Sequence, residues 1–188
     1  MMVVRQSRLS RTSPGLASLA GLFSLAGLAS LLVIGTPRPA PAETTVFVVR
    51  HAEKVDASED PDLDGTGRER ARLLRDMLRA IPIESVYASK YKRTQQTVAP
   101  TAEAQKQTVV VHTTDEIAKL AGAIRAASAD SVDRAVLIAG HSNTTVQWLK
   151  ALGISSIEEL LDHEWDNLFV VTIGDNGRAR LLHLHYGY

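Results

Sequence analysis

The 188-residue chain contains no cysteine. That excludes disulfides, a thiolate nucleophile and any cysteine-ligated metal. There is no surplus of positive charge either: 21 Lys and Arg balance 21 Asp and Glu. The balance is uneven along the chain. Residues 1–42 carry Arg5, Arg8, Arg11 and Arg38 and no acid, which leaves 17 basic against 21 acidic residues beyond them, a net of −4. A mildly acidic body lacks the basic face that a nucleic-acid partner requires, so any anion it holds must be attracted by a local cluster. Internal repeats and long linkers are also missing, and residues 43–188 read as one domain. The first 42 residues have neither a twin arginine nor a lipobox cysteine, which favours a general secretory route over folded export or lipidation.

That N-terminal segment has the three parts of an export signal. A basic stretch, "RQSRLSR", precedes an apolar run from Leu16 to about Ile34, and "TPRPAPAETT" follows with a small-x-small site at Ala40-Pro41-Ala42. Residues 1–42 are expected to be a secretory signal peptide, with cleavage after Ala42 releasing a periplasmic or extracellular domain. The alternative is an uncleaved anchor, since the apolar run is about long enough to span a bilayer. Membrane contact is expected only through this segment.

Strand-like and helix-like segments then alternate. "TTVFVVR" (44–50), "ESVYAS" (84–89), "TVVVH" (108–112) and "AVLIAG" (135–140) read as strands. Between them lie "RERARLLRDMLRA", with Ala71, Leu74, Met77 and Leu78 on one face and a capping box at Thr66-x-x-Glu69, and "KRTQQTVAPTAEAQ", which Pro100 should kink or break. "DEIAKLAGAIRAAS" and "NTTVQWLKALG" are the next helices, and Ser155-x-x-Glu158 should cap a short one, "SIEELLD". "NLFVVTIG" and "ARLLHLHYG", joined by "DNGR", predict a C-terminal hairpin. This alternation implies an α/β domain with a largely parallel central sheet.

In such sheets ligands bind beyond the carboxyl ends of the strands. Arg50 and His51 end the first strand, Ser89 ends the second with Arg93 one turn into the next helix, and His141 follows the fourth strand directly. Two guanidinium forks and two imidazoles on one sheet edge suit a phosphoryl group. The helix starts after Ser89 and His141 add backbone donors, and Asn143 is either a helix cap or a phosphate contact. A neutral imidazole is a competent nucleophile toward phosphorus. His51 can fix its tautomer by donating to a backbone carbonyl, while Arg50, Arg93 and His141 stabilise the equatorial oxygens.

The order "VRHAEK", "LDGTGRERA", "SKYKRTQQTVAP" and "GHSNTT" resembles the histidine phosphatase superfamily, also called phosphoglycerate-mutase-like, across residues 43–188. The resemblance implies a three-layer αβα sandwich and a metal-independent, cofactor-free phosphohydrolase working through a phosphohistidine on His51. Arg50, Arg93 and His141 are then the other catalytic groups. The substrate is a phosphorylated small molecule or a phosphoprotein. A non-catalytic phospho-ligand module, a phosphoglycerate-type mutase and a metallohydrolase using His51, Glu53 and His141 are the alternatives. Two features depart from the family. Ala52 stands where a glycine is usual, and the Glu-Gly context of the general acid is missing. Glu53, Asp115 and Glu116 are the candidate acids, and the sequence does not choose among them. His183 and His185 share a strand face and could pair on zinc, whereas Trp148 and Trp165 read as core. Glu164 and Asp166 read as a charged turn, and Glu53 and Lys54 as a solvated loop pair outside any acid role.

Overall fold

The computed structural model describes residues 43–129 and 132–187. The expected signal segment lies outside the described residues. Within them, six strands and four helices follow the chain as β1 (Glu43–Arg50), α1 (Gly65–Leu78), β2 (Ser85–Ser89), α2 (Lys92–Ala104), β3 (Val109–His112), a 3-10 turn (Thr114–Glu116), α3 (Ile117–Ala127), β4 (Arg134–Gly140), α4 (Ser142–Ala151), β5 (Asn167–Gly174) and β6 (Ala179–His185). The sheet order is β3-β2-β4-β1-β5-β6. The first four strands in that order run parallel, β5 pairs antiparallel with β1, and β6 closes the expected hairpin on β5.

Both faces of the sheet are covered, as its apolar strands demand. Strand alternation sends Val46 and Val48 to one face, where they meet Ile117, Ala121 and Ile124 of α3 and Trp148, Leu149 and Leu152 of α4. Phe47 and Val49 go to the other face, against Leu74 and Leu78 of α1 and Val98 and Ala102 of α2. The result is the expected three-layer αβα arrangement. Register then determines the site. Arg50 pairs with Gly140 across the β1–β4 ladder, so the next residue on each strand, His51 and His141, leaves the sheet at the same level.

Four local expectations change. The N-cap of α1 is Asp64, whose Oδ1 accepts the Gly67 N–H at 2.7 Å, so the helix begins before the Thr66–Glu69 box. Met77 is exposed, and the buried stripe of α1 is Ala71, Leu74 and Leu78. Pro100 sits inside α2 without ending it. Proline removes one ladder bond there, and the buried Thr97, Val98, Thr101 and Ala102 hold the helix to the sheet. The short helix expected over "SIEELLD" does not form, and residues 154–166 run as irregular chain. A segment that short cannot repay its own helix nucleation. Instead, Ile157 and Leu160 pack against the core, and the Glu164 carboxylate accepts the Leu161 N–H at 2.7 Å.

Candidate active site

The parallel strands end at a cleft of about 500 Å3 lined by Arg50, His51 and Lys54 after β1, Tyr91 and Arg93 at the start of α2, Thr114, His141 to Thr144 at the start of α4, and Asp162. Of the residues expected to act together, Arg50, His51, Arg93, His141 and Asn143 all meet here. Arg50 and His51 are almost fully buried, at 4% and 3% exposure.

His51 is held by its own backbone. Its Nδ1 lies 2.8 Å from the Ala52 carbonyl, which can only accept, so Nδ1 carries the proton and Nε2 keeps its lone pair. Burial lowers the ring's pKa to about 3, with Arg50, His141 and Arg93 pushing the same way and the Ala52 bond opposing. The ring is therefore neutral throughout the physiological range. The Ala52 N–H donates to Thr97 Oγ1 at 2.9 Å, and Thr97 Oγ1 donates to the Arg93 carbonyl at 2.7 Å. Ala52 is fully buried, and Lys106 is the only non-glycine with positive φ among the described residues. Alanine thus fits where the family favours glycine. The glycine that this turn does require is Gly67, where a Cβ would lie 2.1 Å from the Glu53 carbonyl oxygen.

The His141 ring sits 5.3 Å from that of His51, edge to face. Its Nε2 lies 2.9 Å from Ser89 Oγ, which in turn lies 2.8 Å from Thr94 Oγ1. Burial, then Arg93 and Arg50, lower its pKa to about 4. Gly140 lets α4 start this close, because a Cβ there would meet Thr144 Oγ1 at 2.8 Å.

The two arginines are partly engaged. Arg50 Nη1 donates to the Leu161 carbonyl at 2.5 Å, and Nη2 lies 3.4 Å from Asp162 Oδ1. Arg93 Nη1 donates to the Glu59 carbonyl at 2.9 Å and its guanidinium stacks 4.5 Å from the Tyr91 ring. The Nε of each is buried without a partner among the described residues. Both guanidinium groups belong to residues that line one cleft, and such forks suit a ligand with acceptor oxygens.

None of the three candidate acids lines the cleft. Glu53 is buried and gripped by Arg70, whose Nε lies 3.0 and 2.9 Å from its two oxygens and whose Nη2 lies 2.6 Å from Oε1. Arg70 also donates to the Tyr186 carbonyl, so this pair ties the turn after His51 to the end of the chain. Asp115 is exposed on the 3-10 turn. Glu116 accepts the Thr113 N–H at 2.8 Å, and the Thr113 bonds hold its carboxyl below the usual range. The carboxylate that does line the cleft is Asp162. Lys54 lines it too, so the expected Glu53–Lys54 loop pair divides into a buried anchor and a cleft residue. His183 bonds Asn167 Oδ1 at 2.6 Å and His185 bonds Asp166 Oδ2 at 3.0 Å, on the far hairpin. Trp148 is core, while Trp165 is half-buried beside Arg50, 5.8 Å from its guanidinium. The buried Thr94 and Thr97 of α2 are functional residues that the sequence signals by type: polar side chains on a core-facing stripe have something to hold.

Residues 46–120 match the model of the histidine phosphatase superfamily, branch 1. Over these residues the chain is similar to that superfamily. A probable phosphatase of Schizosaccharomyces pombe is 32% identical over 75 residues, an alignment that covers 36% of this chain and 36% of that protein. Among solved structures, the protein histidine phosphatase SixA in complex with tungstate superposes with a TM-score of 0.62 at 19% identity, covering 75% of this chain and 96% of that one. A mycobacterial glucosyl-3-phosphoglycerate phosphatase gives 0.59 at 14% identity, covering 77% and 100%. The phosphoglycerate mutase of Bacillus anthracis gives 0.57 at 16%, covering 77% and 93%. At these identities the structural likenesses speak for the histidine phosphatase fold, and the substrate must be read from the cleft.

Proposed function

We propose that the protein is a phosphohydrolase that acts through a phosphohistidine on His51 and needs no metal. The observation that carries this reading is the His51 ring, neutral, locked by Nδ1–H to the Ala52 carbonyl and lining one cleft with Arg50, Arg93 and His141. In the first step His51 Nε2 attacks phosphorus, an N–P bond forms, the P–O bond to the leaving group breaks, and that oxygen takes up a proton from solvent water. In the second step water attacks the same phosphorus, the N–P bond breaks and phosphate leaves. Arg50 and Arg93 hold the equatorial oxygens, so positioning and electrostatics supply most of the rate. His141 joins them: Thr94 Oγ1 donates to the Tyr91 carbonyl at 2.8 Å, so the Ser89 hydroxyl donates to Thr94 and accepts from His141 Nε2–H, and Nδ1 keeps a lone pair that can take up a proton and donate once a phosphoryl group is bound. That the SixA relative was solved with tungstate, a tetrahedral oxyanion, supports the same use of the cleft here.

The test is trapping with a labelled phosphate donor. Wild type should take up an acid-labile, base-stable label, and His51→Ala should lose it together with turnover, by at least roughly 10³-fold on the scale of nucleophile deletions. Turnover retained in His51→Ala would refute the mechanism. Retained binding of phosphate esters by a wild type that never forms the label would favour a phospho-ligand module instead, for which Arg50 already held by Leu161 and Asp162 is the supporting observation. Chelator treatment should leave turnover unchanged. The charge asymmetry of residues 1–42 supports export, and an N-terminus at residue 43 on the recovered exported chain is the expected result.

A further inference from the structure

We infer that the phosphoryl cleft opens into a leaving-group groove along α4, shaped for an extended phosphorylated peptide. The inference rests on the phosphohydrolase reading and names its substrate class. A second hollow, of about 280 Å3, shares Ser142 and Asn143 with the cleft and continues past them to Gln147, Lys150, Glu159 and Leu160. Asn143, Gln147 and Lys150 are spaced i, i+4 and i+7, so they form one stripe along α4. All three are exposed, over the buried Val146. The facing wall comes from the irregular chain between α4 and β5, which the absent helix leaves free to run alongside.

Dimensions and chemistry agree on the occupant. From Ser142 to Lys150 the helix rises about 12 Å, which matches roughly three to four residues of extended chain. A small phosphate ester would fill the cleft and leave this groove to water. The Gln147 amide offers a donor and an acceptor together, the pair that a peptide N–H and C=O require. Asn143 adds amide donors, its oxygen being taken by the Thr144 N–H at 2.8 Å. Lys150 and Glu159 place one charge of each sign on the walls, so a neutral peptide backbone fits better than a second anionic group.

The experiment compares 4-nitrophenyl phosphate, free phosphoserine and an eight-residue phosphoserine peptide on the full chain and on Gln147→Ala/Lys150→Ala, both surface positions. In wild type, kcat/KM for the peptide should exceed that for phosphoserine by about tenfold or more, carried by KM. The double variant should lose this advantage and hydrolyse the aryl phosphate as before. Equal values for peptide and phosphoserine in wild type, or an advantage that survives in the variant, would overturn the inference. No turnover of any of the three by wild type would break the phosphohydrolase reading first, and the groove with it.

Discussion

The floor of the cleft and its rim are built on opposite principles. The floor hangs from strand ends: Arg50, His51 and His141 follow directly from the β1–β4 register, and the first two sit where almost no water reaches. The rim consists of two irregular segments, 55–62 and 154–166, that carry Asp56, Glu59, Asp60 and Asp62 on one side and Glu158, Glu159, Asp162, Glu164 and Asp166 on the other, with no Lys or Arg. Each segment reaches the floor through a main-chain carbonyl, Glu59 on Arg93 and Leu161 on Arg50. Floor residues are therefore chosen by chemistry, and rim residues largely by where their backbone passes.

The sharpest way to break this contrast is to truncate one residue on each side of a floor–rim contact. Arg93→Ala should cost on the order of 10²–10³ in turnover of 4-nitrophenyl phosphate, by analogy with the loss of one oxyanion donor. Glu59→Ala leaves the carbonyl that Arg93 uses and should change turnover by less than about threefold, in the range of ordinary surface substitutions. Equal losses in the two variants would mean that the rim side chains share in catalysis.

The same contrast explains what could be read from the sequence. Arg50, His51 and His141 were legible because an apolar strand that stops at a polar residue gives both the fold and the position of the site. The αβα layers were legible for the same reason. The rim was not, since a carbonyl contact leaves no signature in residue type. Thus "SIEELLD" reads as a helix by its acids and leucines, Asp162 carries no signal in residue type, and Glu53 reads as an acid beside the nucleophile when its partner, Arg70, lies 17 residues away and comes close only through the fold. Ala52 shows the reverse case, in which a departure from the family pattern has no backbone consequence.

A smaller effect probes how tightly the turn after His51 is braced. Gly67→Ala places a methyl group against the Glu53 carbonyl and should destabilise the fold by about 1–3 kcal/mol, the usual range for overpacking. Gly65→Ala, two residues away with nothing within 4 Å of the added carbon, should be close to neutral. Urea midpoints for the pair measure the difference, and equal midpoints would show that the turn yields easily.

The floor also predicts a pH response. His51 and His141 titrate at about 3 and about 4 in the folded chain, against an ordinary value of 6.5. Between those limits the unfolded chain binds protons that the folded chain refuses, so their contribution is complete above pH 6.5 and is lost as the pH falls toward 4 and below. Urea midpoints of wild type should drop over that window more steeply than those of a His51→Ala/His141→Ala variant. Parallel slopes would mean that the two rings are not held neutral.

The smallest expected effect concerns Asp162, the rim carboxylate that lies against the floor. Its carboxylate lies 3.4 Å from Arg50 Nη2 but its side chain is 97% exposed, so the pair is worth at most about 1 kcal/mol. Set against Arg50, an ionised carboxylate competes with an incoming phosphoryl oxygen for the same donor. Asp162→Asn should therefore tighten orthovanadate binding by a few-fold, up to about fivefold on that energy scale, while the Leu161 carbonyl keeps its hold on Nη1. A proton-donating role predicts the opposite pattern: vanadate binding unchanged, and hydrolysis of alkyl phosphates, whose leaving groups need an acid, reduced by about 10²-fold or more relative to aryl phosphates. Measuring vanadate affinity together with the alkyl-to-aryl ratio on one variant separates the two, because competition acts on the ground-state anion and acid catalysis only on the departing oxygen.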